Sequence, residues 1–398
     1  MKILVANIGS TSFKYRLYDM TNEAQLAKGR IERIGEPLSP IEVEVGGKTF
    51  SEEFPVPDHG EAVRQCLRQL TSPEVGCLKD PAEVQGIGFK AVHGGRVTGV
   101  QIIDESVLAA MEEMVDIAPA HNPPYIAAMR QLRAQLPEVP LVAAFETGFH
   151  ADIPEANRLY AVPDEWIDEF QIRRFGFHGA SHRYISVRSA EIFGRKDLRI
   201  ISCHLGGSSS ICAIADGKSR ATSMGGSPQG GLPQNNRVGD FDPYLLPHLM
   251  KRTGKSCEEL LAILGKQGGL YGLSGGVGTD IRDILAAANA GNEKAKRALD
   301  VYVFDIRRYL GAYLVELGGA DLIVFTGGIG ENQWSIREMI CRDLSELGII
   351  LDPEKNRECR ASEMCISAGE SRVKICVIPT NEELIVARQT VEALKARS

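Results

Sequence analysis

Residues 3–19, ILVANIGSTSFKYRLYD, and residues 200–216, IISCHLGGSSSICAIAD, carry the reading of the chain. They align without a gap at an offset of 197 residues, and Ile3/Ile200, Gly9/Gly206, Ser12/Ser209 and Asp19/Asp216 are identical. In each copy an apolar run ends on a polar residue, turns through Gly and Ser, and resumes as a second apolar run. That pattern predicts a β-hairpin whose small turn residues let backbone N–H groups and hydroxyls approach an anion. Two copies about half a chain apart predict two related domains facing a shared phosphate.

The 398 residues exceed one ordinary core, so two domains are expected. A hydrophobic content of 43% with 24% charged residues describes a soluble globular chain. The net charge of −7 gives no footprint for nucleic acid or an anionic membrane, so any affinity for phosphate must be local. No apolar run has the length of a membrane span, and no signal-peptide pattern follows Met1-Lys2. The nine cysteines form no C-x-x-C pair, which argues against a structural zinc site and for a reducing, cytoplasmic setting.

Strand patterns fall at 2–7, 13–19, 28–34, 41–50, 84–92, 140–145, 199–216, 320–325 and 373–378, and helical patterns at 60–70, 106–117, 124–135, 244–252, 256–265, 281–290, 293–316, 335–347 and 381–395. A meander followed by alternating helix and strand is α/β. A long loop with five glycines spans 223–239, and the last helix is placed to return to the first domain.

Several motifs carry chemistry. In the first turn Lys14 can reach a phosphate and Asn7 can hold a metal-bound water; the turn also reads as an ordinary hairpin. The second turn, His204-Leu205-Gly206-Gly207-Ser208, lacks a lysine and leaves backbone N–H groups and hydroxyls as donors. Histidines 93, 121, 150, 178, 182 and 204 sit among Gly, Pro and aromatic residues. Only His178/His182 have i,i+4 spacing, in a Gly-rich context that is no clear helix, so a polar cleft is preferred over a metal cluster. Arg237 in a flexible loop suits a phosphoryl group in transfer. Residues 326–332 follow a strand and precede a helix, a unit that can hold a nucleotide without being a Walker A or a full G-x-G-x-x-G sequence. Asp280-Ile281-Arg282 suits a base or ribose, or a helix cap. A carboxylate in Pro379–Glu383 suits Mg²⁺ through water, or a helix N-terminus.

In order, the chain carries the Asn7–Lys14 hairpin, VHGG (92–95), APxHNPP (118–124), FHxxIP (149–154), RRFGFHGxSH (173–182), CHLG (203–206), TSMGGSP (222–228), NRxGD (236–240), DxRDI (280–284), FTGGIGEN (325–332) and PTNEEL (379–384). This set closely resembles the acetate kinase family (acetate, propionate and butyrate kinases), of the superfamily of sugar kinases, heat-shock chaperone ATPases and actin. The resemblance implies duplicated ribonuclease H-like (actin-like ATPase) α/β domains with a central interdomain cleft: 1–149 plus 383–398 for acyl group and phosphate, and 150–382 for nucleotide and dimerisation. It implies Mg²⁺ (or Mn²⁺) at Asn7 and Glu382, a phosphate-facing Lys14, and Glu146, His178 and Arg237 as catalytic residues. The carboxylate and acyl pocket fall on Lys90, Val92, Ala120, Phe177 and Pro228. Nucleotide contacts fall on His204–Ser208 (His204, Leu205, Gly206, Gly207, Ser208), on Asp280, Ile281 and Arg282, and on Gly328, Ile329, Gly330, Glu331 and Asn332. A cytoplasmic homodimer acting on ATP/ADP and a small carboxylate, without nucleic acid or membrane partners, completes the expectation.

Four positions depart from the family pattern. Lys90 replaces an Arg and loses the bidentate fork on a carboxylate. Glu146 replaces an Asp, extending the carboxylate by about 1.5 Å. Ala120 replaces a Leu and enlarges the acyl pocket, favouring propionate or longer acids. Gly207 replaces an Asn among the nucleotide contacts. A carboxylate acceptor is ionised near neutral pH and needs no general base, so direct in-line transfer to give acyl phosphate and ADP is expected. Alternatives are a propionate- or butyrate-preferring enzyme, a pyrophosphate- or phosphate-linked acyl kinase, a hydroxyl-accepting kinase with Glu146 as base, and a non-catalytic nucleotide-binding module.

Overall fold

The computed structural model describes residues 1–9, 11–119 and 121–397; Ala120, expected in the acyl pocket, lies outside them. Contacts divide the chain into Met1–Ala151 with Asn381–Ser398, and Asp152–Thr380. The second boundary thus falls just before Glu382, which belongs to the first unit.

The first unit is built on one sheet of eight strands: β1 (Lys2–Ile8), β2 (Ser12–Asp19), β3 (Ala24–Glu32), β4 (Ser39–Val45), β5 (Lys48–Phe54), β6 (Gly86–Ala91), β7 (Val100–Ile102) and β8 (Leu141–Phe145), in the order β5-β4-β3-β2-β1-β6-β8-β7. The meander β1 to β5 is antiparallel, while β1, β6 and β8 run parallel. All five residues of β8 are buried, as expected of a central parallel strand covered on both faces. The single strand expected over 41–50 is instead a hairpin. Gly46 and Gly47, at φ 57° and 77°, supply the two left-handed positions of a tight primed turn.

The second unit holds β9 (Arg199–Leu205), β10 (Ser209–Ala215), β11 (Lys218–Thr222), β12 (Leu322–Thr326), β13 (Met364–Cys365) and β14 (Lys374–Val377), in the order β11-β10-β9-β12-β14-β13. Strands β9, β12 and β14 are parallel, and β9 to β11 form an antiparallel meander. The run β3-β2-β1-β6-β8 in one sheet therefore repeats as β11-β10-β9-β12-β14 in the other. The duplicated α/β architecture expected from the two hairpins is present at the level of strand order. Among the described residues no helix is long and apolar enough to cross a membrane.

The two hairpins differ in register. Asn7 pairs with Lys14 in the first, whereas His204 pairs with Ser210 in the second, one residue short of Ile211, the position matching Lys14 in the ungapped alignment. The second turn contains two glycines and closes over three residues, Gly206–Ser208, with Ser209 Oγ accepting from Gly206 N. A one-residue slip exchanges the faces of a strand. Ile211 accordingly goes into the core and the Ser210 hydroxyl comes up beside the histidines.

The last helix, Glu382–Arg397, packs on β6 and β1 in the first unit. Its approach depends on two glycines of β6. A Cβ at Gly88 would lie 2.3 Å from Thr390 Oγ1 and 2.9 Å from Val386 Cγ1, and one at Gly86 2.7 Å from Leu394 Cδ1. Close packing here fixes where Glu382, the first residue of the helix, sits. We expect Gly88→Val to destabilise the protein by about 1–3 kcal/mol through overpacking. Activity should fall further than the lost stability explains, because Glu382 is displaced. Urea denaturation and steady-state kinetics on the folded fraction measure both effects.

Candidate functional site

The first unit gathers its polar residues at the carboxyl ends of three adjacent parallel strands, where open α/β sheets place their ligands. Asn7 is near the end of β1, Lys90 near the end of β6, and Glu146 directly follows β8, its N–H donating to Ala91 O at 2.8 Å. Glu382 arrives from the far end of the chain. Lys90 Nζ lies 2.6 Å from Glu382 Oε2 and 3.4 Å from Glu146 Oε1, all three side chains being less than one-fifth exposed. Burial works against the Lys90 ammonium, but the Glu382 and Glu146 carboxylates outweigh it and hold its pKa well above the ordinary lysine value. Beside this trio the Tyr125 hydroxyl accepts from Ile8 N at 3.1 Å and donates to Asn7 Oδ1 at 3.3 Å. Burial, partly offset by Lys90, pushes the Tyr125 phenol up to about 12. Lys14 lies across the hairpin from Asn7 and is exposed, lining a cavity with Arg16 and Glu383.

Two carboxylates and an amide oxygen are hard donors of the kind Mg²⁺ or Mn²⁺ takes. Among the described residues no group of three His, Cys, Asp or Glu side chains forms a ready metal cage. Asn7 and Glu382, with Glu146 beside them, therefore suit an ion that keeps several waters and shares a ligand's phosphates, which is how Mg²⁺ is usually held.

In the second unit the helix Gly179–Phe193 begins directly after His178. The Gly-rich stretch thus does form a helix, with His178 as its N-cap, held at φ 56° in the left-handed region. That conformation turns the His178 ring onto His204, with centroids 4.2 Å apart and planes 22° from parallel. Serines orient the rings: Ser210 Oγ lies 2.9 Å from His178 Nδ1 and 2.8 Å from His182 Nε2, Ser202 Oγ 2.9 Å from His182 Nδ1, and Ser181 Oγ 2.8 Å from His204 Nδ1. Hydroxyls serve each ring, so the cluster is a hydrogen-bonded network.

Arg237 is half-buried. Its Nη1 donates to Gln234 Oε1 at 3.1 Å and Pro228 O at 3.3 Å, and Ser208 Oγ donates to the same Gln234 oxygen at 2.7 Å. Burial alone pushes its pKa down from the ordinary guanidinium value. A guanidinium remains charged in proteins, so this one is chemically able to bind an anion.

A cavity of about 630 Å³ in this unit is lined by Gly206, Gly207, Asp280, Ile281, Arg282, Gly328, Ile329 and Asn332 among the expected residues, and also by Asn235, Thr279, Gln333, Trp334 and Arg360. The remaining expected nucleotide residues do other work. Leu205 is buried in the core. Glu331 Oε1 accepts from Gly327 N at 2.9 Å and Thr380 N at 3.2 Å, bracing the turn. The Gly330 carbonyl accepts from Arg337, a fully buried guanidinium that also donates to Glu331 O, Asn356 and Cys359 O. Asp280 caps the helix Ile281–Asn289 and pairs with Arg282, whose hydrogen bonds pull its carboxyl down to about 2. It is a cap and a cavity wall at once. Val92 is buried in the first unit, Phe177 and Pro228 in the second.

Asn235 bears on the Gly207 departure. A Cβ at Gly207 would meet Asn235 Nδ2 at 3.1 Å, and Asn235 N donates to Gly207 O at 3.1 Å. A neighbouring loop thus brings an amide to the place where a side chain at position 207 would stand. Tyr125, Gln234, Asn235, Trp334 and Arg360 were not singled out from sequence. Asn235 lies two residues before Arg237, but only the folded loop shows what it faces.

Comparison with known proteins bears on the whole chain. The model of the Acetokinase family matches residues 2–388. An acetate kinase of Clostridium botulinum (strain Loch Maree / Type A3) is 44% identical over 395 residues, covering 98% of this chain and 99% of that protein. The crystal structure of Porphyromonas gingivalis acetate kinase superposes with a TM-score of 0.91 at 38% identity, covering 99% of each chain. A propionate kinase from Francisella tularensis also gives 0.91, at 33% identity, covering 98% of this chain and 99% of that one.

Two outcomes follow from the geometry. Lys90→Met removes the cation between two buried carboxylates, whose folded-state pKa values then rise. A raised carboxyl pKa favours the folded state below the unfolded value and disfavours it above. The variant's stability deficit against the parent should therefore shrink as pH falls from about 8 to about 5. In the parent, Lys90 has its raised pKa, so its contribution is present throughout that window and is lost only as pH rises past the ordinary lysine range. Asn235→Ala should weaken nucleotide binding by about 1 kcal/mol, a roughly fivefold rise in KM for nucleotide, with KM for the carboxylate unchanged.

Proposed function

The chain belongs to the acetokinase family, and from that premise we propose that it transfers the γ-phosphoryl group of ATP reversibly to a short-chain carboxylate, acetate first, giving acyl phosphate and ADP. It is a phosphotransferase with a carboxyl group as acceptor, using ATP/ADP as co-substrate. The observation that carries the reading beyond the family is the division of charge. One unit holds a buried ammonium flanked by carboxylates, and the other holds a guanidinium bonded to neutral oxygens, a pair of stacked imidazoles and a cavity of about 630 Å³.

The acceptor carboxylate is already ionised, so its oxygen attacks phosphorus without surrendering a proton. Catalysis then consists of alignment and charge stabilisation. Arg237, aimed by Gln234 and Pro228 O, and His178, aimed by Ser210, are the groups proposed to stabilise the phosphoryl oxygens in the transition state. Lys90 has three N–H donors. With Glu382 and Glu146 as neighbours, one remains to receive the substrate carboxylate. Lys14 adds positive charge on the phosphate side. Val92, Ala120, Phe177 and Pro228 are proposed to surround the acyl group, and the nucleotide is proposed to occupy the cavity lined by Gly206, Gly207, Ile281, Gly328 and Ile329. Mg²⁺ or Mn²⁺, held through Asn7 and Glu382 with Glu146 orienting its waters, would neutralise charge on the nucleotide phosphates. The 630 Å³ cavity favours a nucleotide over pyrophosphate as phosphoryl donor.

A homodimer is proposed through the second unit, where Tyr244 is 87% and Val315 83% exposed on helix-bearing surface. Nine free cysteines suit a reducing, cytoplasmic setting.

Purified protein with ATP and Mg²⁺ should form hydroxamate-trappable acyl phosphate from acetate and, as the exchange of Leu for Ala at position 120 predicts, from propionate. Activity with acetate alone would contradict the enlarged pocket, and no product from acetate, propionate or butyrate would contradict the function. Arg237→Ala should lower kcat by roughly 10²–10³-fold. With Glu146→Gln, a positioning role predicts a loss that is the same for acceptors of different pKa, whereas a general-base role predicts a loss that varies with acceptor pKa.

A further inference from the structure

Strand β13, Met364–Cys365, is the outermost strand of the second sheet, and Cys365 lies directly opposite Cys376 on antiparallel β14. The neighbouring pair, Ile366 and Ile375, is hydrogen-bonded, Ile366 N donating to Ile375 O at 2.7 Å. In an antiparallel ladder such pairs alternate with pairs that share no backbone hydrogen bond, whose Cα atoms approach to about 4.5 Å and whose side chains stand closest. Cys365 and Cys376 occupy the position of that second kind. Their side chains share one face of the ladder, at a spacing a disulfide can bridge. Cys365 is exposed and Cys376 is buried. No other pair among the nine cysteines occupies opposed positions in the ladders of either sheet, among the described residues.

We infer that Cys365 and Cys376 form a redox-active dithiol that takes up low-molecular-weight disulfides of the glutathione type and closes to an intrachain disulfide. Cys365 is the attacking sulfur. It is the accessible member, and Ser367 Oγ lies 3.2 Å from its Sγ. Hydrogen bonds from Cys376 first and Ser367 next, with Lys374 nearby, hold its thiol well below the ordinary cysteine value, which favours the nucleophilic thiolate. The Cys365 thiolate attacks one sulfur of oxidised glutathione, forming a mixed disulfide and releasing one glutathione thiolate. That thiolate takes the Cys376 proton, and Cys376 Sγ then attacks Cys365 Sγ, expelling the second glutathione. Two protein thiols become one disulfide, and one oxidised glutathione becomes two reduced ones. Cys376 is suited to resolve and not to initiate, since its hydrogen bond to Cys365 and its burial push its own pKa up.

The dithiol lies outside the residues proposed for phosphoryl transfer but is connected to them through the backbone. Val324 of β12 pairs with Cys376, and beyond β14 Ile378 N donates to Phe325 O and Thr380 N to Glu331 Oε1, at the turn that lines the nucleotide cavity. Immediately before β13, Glu363 forms a bidentate pair with Arg188 of the helix that His178 caps.

Trypsin cleavage after Arg360, Arg372, Lys374 and Arg388 puts the two cysteines in separate peptides, 361–372 and 375–388. The full-length protein is incubated with oxidised glutathione, blocked with an alkylating agent, digested and read by mass spectrometry without reduction. The expected result is the linked pair 361–372/375–388, formed at oxidant concentrations that leave the half-buried Cys77 and Cys257 alkylated, and reversed by dithiothreitol. Cys376→Ser should instead accumulate one glutathione on Cys365, and Cys365→Ser should leave Cys376 unmodified. The inference is overturned if the parent stops at glutathionylated Cys365, if the linked peptide does not form, or if Cys365 reacts no faster than Cys77 and Cys257. None of these readouts depends on kinase activity.

Discussion

Burying two ionised carboxylates side by side is costly unless a cation or a shared proton offsets them, and Lys90 supplies the cation in the first unit. Its ammonium holds Glu146, from the turn after β8, and Glu382, from the last helix, in one constellation. The pairing joins segments 292 residues apart in the chain and places the carboxyl-terminal helix in the amino-terminal fold. Desolvation of a buried ammonium is unfavourable, and removing one partner leaves an uncompensated charge, so the trio is maintained only as a whole. Gly86 and Gly88 are the steric counterpart, since a side chain at either would push the helix, and Glu382 with it, away from β6. The tyrosine that fixes Asn7 completes a rigid polar floor.

The second unit solves a different electrostatic problem with the same sheet. Its hairpin closes one residue sooner, so the position across from the end of the first strand carries a hydroxyl instead of an ammonium. Ser210 then serves two imidazoles, and the cationic contribution comes from Arg237 on a loop. A mobile-looking sequence, the five-glycine stretch at 223–239, is in fact tied down: Gln234, Pro228 O and Ser208 hold the guanidinium, and Asn235 fills the space left by Gly207. Divergence between duplicated hairpins thus accounts for polar groups of unlike charge in the two units.

Much of this was legible in the sequence. Gly-Ser turns between apolar runs gave both hairpins, and the long apolar periodicity at 293–316 gave its helix to the residue. Ordered motifs gave the family, now supported by the match over residues 2–388 and by relatives at 44% identity. What escaped was of one kind. The helix after His178 was missed because glycine and serine at its start have low helix propensity, while burial of Ile185 and Ser189 against the sheet stabilises it. The hairpin register could not be read because a one-residue slip leaves the apolar pattern of each strand intact. The Lys90 trio, the Tyr125–Asn7 bond and the Asn235–Gly207 contact join residues distant in sequence or on irregular loops, where spacing carries no signal. Lys90 and Glu146, each seen as a departure from a family pattern, prove to be partners of one another.

The central claim is that a carboxylate oxygen of the acceptor becomes bonded to the transferred phosphorus. It is tested most directly by supplying acetate labelled with ¹⁸O in both carboxylate positions, together with ATP and Mg²⁺, and observing the acyl phosphate by ³¹P NMR. Attack of the carboxylate on the γ-phosphorus predicts an isotope-shifted phosphorus signal, since the bridging oxygen comes from acetate. An unshifted acyl phosphate signal, or release of inorganic phosphate with no acyl phosphate, would contradict the account.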